Sequence, residues 1–130
     1  MNRYLFLLLV LFTSSVVAQH VPTFEEVISL RSIGSVTLSD DGKHIIYTVQ
    51  TTDWNENRFD TEIWLSKNGG HPFQLTNTHK GSSSGAEFSP DGKWIAFLAD
   101  RGNKNQIQII NMDGGEARTC YSRRRRHFEF

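Results

Sequence analysis

The chain has 130 residues, which is one ordinary domain or less. Its 14 Lys and Arg balance its 14 Asp and Glu, but Arg3 and the run Arg123 to Arg126 hold five of the cations, and Gln19 to Arg118 carries 9 basic and 13 acidic residues. That mildly acidic body excludes a nucleic-acid groove, which needs clustered Lys and Arg to displace counterions. The lone Cys120 excludes an internal disulfide, and His20, His44, His71, His79 and His127 show no metal-ligand spacing, so no metal or cofactor is expected.

The chain opens "MNRYLFLLLVLFTSSVVAQ". A basic start, an apolar run from Tyr4 to Phe12 and small residues up to Ala18 have the layout of a signal peptide over residues 1–18, cut after Ala18. The alternative is a membrane anchor, but the apolar run is short of the roughly 20 residues that span a bilayer. The expected product begins near Gln19, is secreted or periplasmic, and meets a membrane only through the signal peptide during export.

Residues 19–35 form a leading segment. In "TFEEVISLR" Thr23 precedes Glu26 by three positions, the spacing of a capping box, and Phe24, Val27, Ile28 and Arg31 recur at helical spacing. A helix of one or two turns is expected there.

Then a phrase is written twice: "SDDGKHIIY" from Ser39 and "SPDGKWIAF" from Ser89. Ser, any residue, Asp and Gly fit a type I turn with the glycine at positive φ, as in a hairpin with a bulge. Val36 and Leu38 lead into the first turn, and Ile45 to Val49 leave it. Phe88 leads into the second, and the apolar run Trp94 to Ala99 leaves it as a strand buried on both faces. Each copy continues alike. Asp53 to Asp60 reads as a loop, Thr61 to Ser66 as a strand, "NGG" at Asn68 to Gly70 as a turn, and His71 to Thr76 as a returning strand. Asp100 to Asn105 is the second loop, Gln106 to Ile110 the second strand, and "DGG" at Asp113 to Gly115 the second turn. Trp64 and Trp94 are expected in the core.

A four-stranded unit repeated at this length is the signature of a β-propeller blade. One blade has two apolar faces and covers neither; each large side chain hidden by a neighbour is worth about 1.5–3 kcal/mol. The expected fold is all-β: about two four-stranded antiparallel blades of an incomplete propeller, after a signal peptide and a short helix. One blade spans 36–80 and a second, incomplete blade spans 81–117. A plain β-sandwich is the alternative.

The phrases "SPDGKWIAFLADR" and "SDDGKHIIYTV", the Gly-Gly turns, "QLT" and the opening "TFEEVISLRSIGSV" resemble the N-terminal propeller of the prolyl oligopeptidase family of serine peptidases. The secreted acylaminoacyl-peptidase-like and dipeptidyl-peptidase-like branches look most similar. TolB-like periplasmic propellers, which bind or scaffold, share the "SPDGK" phrase. The resemblance covers roughly Thr23 to Ala117. It implies a parent that hydrolyses peptides in a C-terminal α/β-hydrolase domain with a Ser-Asp-His triad, its access restricted by the propeller. That hydrolase domain and the peptide substrates would be the partners. The expected role of this chain is that of a non-catalytic propeller portion, with no catalytic residue of its own.

Gly81-Ser82-Ser83-Ser84-Gly85 does match G-x-S-x-G, the nucleophile elbow. That motif works only on a sharp strand-to-helix turn. Here a strand and a hairpin turn follow, so Ser83 reads as part of an inter-blade loop. Asp41 and Asp91 read as turn residues rather than catalytic acids. Trp54 reads as packing beneath its loop, with ligand contact the lesser alternative.

After Ala117 the text changes to "RTCYSRRRRHFEF". No closing strand is expected, and 118–130 reads as an atypical basic tail, since adjacent like charges repel. A one-base shift can turn repeated arginine AGA codons into glutamate GAA and can restore "GGEAELVT", the counterpart of "GGHPFQLT". A frameshifted product of a longer gene is therefore expected, with an acid-binding basic tail as the alternative. In a frameshifted tail Cys120 has no evolved role.

Overall fold

The computed structural model describes residues 20–78, 81–100 and 104–121. The expected signal peptide and the four-arginine run lie outside them. Among the described residues one short helix, α1 (Phe24–Ile28), precedes eight strands: β1 (Ser32–Leu38), β2 (His44–Asp53), β3 (Arg58–Lys67), β4 (Phe73–Gln74), β5 (Ser83–Phe88), β6 (Trp94–Asp100), β7 (Asn105–Asn111) and β8 (Arg118–Tyr121). α1 starts where the capping box placed it. Thr23 Oγ1 accepts from the Glu26 amide at 3.2 Å, and the Glu26 carboxylate accepts from the Thr23 amide at 2.7 Å.

The strands make two four-stranded antiparallel sheets, β1-β2-β3-β4 and β5-β6-β7-β8. The repeated phrase builds the same hairpin in each. Ser39 Oγ donates to Asp41 Oδ1 at 2.6 Å and accepts from the His44 amide at 2.9 Å, while the Asp41 oxygen also takes the Lys43 amide at 3.0 Å. Ser89, Asp91, Lys93 and Trp94 repeat this at 2.6, 2.9 and 3.1 Å. Gly42 and Gly92 follow at φ 71° and 66°, where a side chain is strained. Hydroxyl, carboxylate and glycine are all used, which is why Ser, Asp and Gly recur at the same spacing.

Beyond the turns the sheets stay in step. β1 carries an extra residue between Ile33 and Val36, and β5 carries one between Ser84 and Glu87. The second hairpins differ. Asn68 and Gly69, at φ 50° and 68°, form the two left-handed centres of a type I′ turn. In the other sheet Gly114 donates to Asn111 O at 2.9 Å, so "NGG" and "DGG" are offset by one residue in the ladder.

The sheets stack with β5 against β1, β2 and β3. Alternation along the strands sends Ile46, Ile63 and Leu65 from the first sheet and Ile95, Phe97, Ala99 and Ile110 from the second into one shared core. Polar ties cross the join. Thr37 Oγ1 donates to Ala86 O at 3.3 Å, Arg58 Nη1 donates to Gly81 O at 2.9 Å, and Lys67 Nζ reaches Asp113 at 2.8 Å.

Three sequence expectations need correction. The second sheet has a fourth strand, β8, paired with β7 through Gln108 and Thr119, where no closing strand was expected. The edge of β7 presents unpaired amides and carbonyls, and β-branched Thr119 with its neighbours satisfies them before the arginine run begins. The loop read at Asp53 to Asp60 shrinks to four residues, because β2 and β3 pair as far as Asp53 opposite Arg58. Trp64 and Trp94 are only half-buried, since they alternate onto the outer faces of the stack rather than into the shared core.

Those outer faces are apolar. Val36, Leu38, Ile45, Tyr47 and Trp64 share the outer face of the first sheet, with Val36 66% and Leu38 57% exposed. Trp94, Ala96, Leu98, Ile107 and Ile109 share that of the second. A two-sheet sandwich turns polar residues outward; this pair does not.

Candidate functional site

The G-x-S-x-G pattern is the one sequence feature that points to chemistry, and the structure gives its two glycines and its central serine backbone or packing roles. The inter-blade loop expected around Ser83 is corrected: Ser83 is the first residue of β5, paired with Ala99, and is fully buried, with Oγ 3.2 Å from Thr78 Oγ1. No helix follows; β5 runs on to the Ser89 turn. Gly81 has φ 132°, and a Cβ there would lie 1.8 Å from Asp100 O. Gly85, at φ 59°, sits in the β5 bulge. The first glycine is needed for close approach of two backbones and the second for the bulge. The serine between them is fully buried.

The two Ser-x-Asp-Gly hairpins lie side by side. Between them is a cleft of about 230 Å³ lined by Ser39, Asp40, Asp41, His44, Phe88, Ser89, Pro90, Asp91 and Gly92. Two of its three acids, Asp41 and Asp91, are engaged. The Ser39 hydroxyl, and then the Lys43 amide, hold Asp41 below the ordinary aspartate range, and Ser89 with the Lys93 amide does the same for Asp91. Among the described residues no cluster of three His, Cys, Asp or Glu could hold a metal.

A folded-state pKa below the unfolded one contributes stability above the unfolded value, near 3.8 for these aspartates, and loses it as pH falls through the folded value. Asp41→Ala with Asp91→Ala is therefore expected to lower the urea midpoint at pH 7. The gap to wild type should narrow as pH falls below about 4, as the carboxyls are protonated. A gap that widens on acidification would contradict the turn role.

Trp54 lies in the β2–β3 turn and is 53% exposed rather than packed beneath its loop. Its Nε1 donates to Ser29 Oγ at 3.2 Å, and Thr52 Oγ1 donates to Ile28 O at 2.5 Å, so this hairpin tethers the end of α1.

Two residues that sequence reasoning passed over hold the link between the sheets. Glu62 is 5% exposed; its carboxylate accepts from Thr76 Oγ1 and, at 2.5 Å, from the Thr78 amide. Arg58 reaches Gly81 O and also lies 3.4 Å from Asp60 and 3.9 Å from Asp53. In the sequence Glu62 read as an ordinary polar position within a strand and Arg58 as part of a loop. Only the return of the linker from β4 toward β5 reveals their partners.

No family model matches the chain. Over 100 residues it is 29% identical to the uncharacterized peptidase YuxL of Bacillus subtilis (strain 168), a match over 74% of this chain and 15% of that protein. Among solved structures, the apo form of the AtxE2 isopeptidase matches with a TM-score of 0.65 and 16% identity, covering 78% of this chain and 20% of that one. The second likeness bears on the fold alone. The chain is thus peptidase-like in sequence and spans 15% of the curated relative's length.

Proposed function

We propose that the two sheets are neighbouring blades of a β-propeller in the N-terminal portion of a secreted serine peptidase of the prolyl oligopeptidase type. In that reading the parent protein hydrolyses peptide bonds in a separate α/β-hydrolase domain. This stretch supplies propeller wall and no catalytic group. The observation that carries the reading is the peptidase match on a stack of two sheets whose outer faces remain apolar. Such faces call for further sheets, and a ring of about four to eight blades covers them all. Placement outside the cytoplasm rests on the leader-like Met1 to Ala18.

The gene decides between peptidase and binding propeller. Sequencing from codon 117 onward in all frames is expected to reveal more four-stranded units and then a strand, a G-x-S-x-G and a helix. Further blades alone would favour the TolB-like binding or scaffold alternative. Immediate stop codons in the shifted frame would remove the frameshift. At the protein level, the chain and its Ser83→Ala variant are both expected to leave blocked chromogenic peptides at the blank rate. Turnover that depends on Ser83 would refute the non-catalytic assignment.

A further inference from the structure

Resting on the blade reading, we infer that the two outer faces are partners for each other in trans, so that these two blades, made without the further blades of a longer parent, associate head to tail with copies of themselves. The argument is a residue correspondence. The matched turns align β1 and β2 with β5 and β6. The bond from the Asn68 amide to Lys43 O at 2.7 Å, matched by that from the Met112 amide to Lys93 O at 3.0 Å, aligns β3 with β7.

In that alignment the packed face of the first sheet (Ile46, Thr48, Ile63, Leu65) falls on Ala96, Leu98, Ile107 and Ile109 of the second sheet's bare face. The packed face of the second sheet (Phe88, Ile95, Phe97, Gln108) falls on Leu38, Ile45, Tyr47 and Trp64 of the first sheet's bare face. The described residues therefore present, on their two outer faces, the two halves of the interface they already contain. A second copy that sets its first sheet on Leu98 and Ile107 repeats the internal packing. Both of these positions are exposed in the single chain, at 43% and 40%. The contact is heterologous, so it propagates from copy to copy and ends only on closure into a ring. A ring of about four to eight blades takes two to four such chains.

The test uses the full chain expressed for export, sized by light scattering over a range of concentrations. Wild type is expected at the mass of two to four chains. Leu98→Lys with Ile107→Lys blocks one face, and Leu38→Glu with Ile45→Glu blocks the other. Each double variant is expected to keep the β circular-dichroism signal and fall to the mass of one chain. Mixed together, the two are expected to form a one-to-one dimer through their single intact faces. A monomeric wild type with native circular dichroism would overturn the association and leave the blade reading standing. A double variant that dimerises with itself would show like faces pairing, which would overturn both. Assembly unchanged in both variants would also overturn the association, because the faces would then not be its cause.

Discussion

Gly81→Ala is expected to cost about 4 kcal/mol or more, close to the whole stability of a small domain. The glycine φ is 132°, and an added Cβ would stand 1.8 Å from the Asp100 carbonyl oxygen, far inside any contact distance. The obstacle is backbone, so no side chain can swing aside. Relief requires the start of β5 to part from the end of β6. That breaks the bond from the Asp100 amide to Ser82 O at 3.0 Å and displaces Gly81 O from Arg58, 2.9 Å away. Hydrogen bonds to charged groups are worth about 1.5–3 kcal/mol and neutral ones about 1, before strain is added. Gly42→Ala is the control. Its φ is 71°, yet nothing lies within 4 Å of the added carbon, so only backbone strain of about 1 kcal/mol applies. Urea midpoints with equal slopes measure both. Equal losses for the two variants would mean that close approach is not what Gly81 provides.

Leu65→Ala is expected to cost about 2–5 kcal/mol. Leu65 is fully buried at the join of the sheets, in one cluster with Ile63, Ile95 and Phe97. Truncation leaves a cavity walled by two sheets that are already hydrogen-bonded in register and collapse poorly into it. Val27→Ala, on the helix α1 at 52% exposure, removes apolar carbon from a site open to water and is expected to change stability by less than about 0.5 kcal/mol. Thermal or urea unfolding followed by circular dichroism separates the two. Similar losses at both sites would show that the sheets do not share a core.

Local chemistry was legible before any fold was known. Ser39, Asp41 and Gly42 announce their turn because hydroxyl, carboxylate and positive φ are satisfied within five residues. Thr23 and Glu26 announce a helix start for the same reason. The limits were equally physical. β8 was missed because Arg118 to Tyr121 has no strong strand pattern of its own; the open edge of β7 recruits it. Trp64 and Trp94 were assigned to the core because strand alternation shows two faces but not which of them meets a neighbour. The G-x-S-x-G pattern was recognised as out of context, yet only the approach of Asp100 explains why its first glycine is there.

By itself, the sequence determined the two hairpins, the helix cap and the order of strands in the first sheet, since all of these rest on partners a few residues apart. The tertiary structure alone decided which faces are packed and which are bare, that Ser83 is buried, and that Glu62 and Arg58 hold the link between sheets. Those outcomes depend on groups brought together by stacking, and no local pattern records the distance between them.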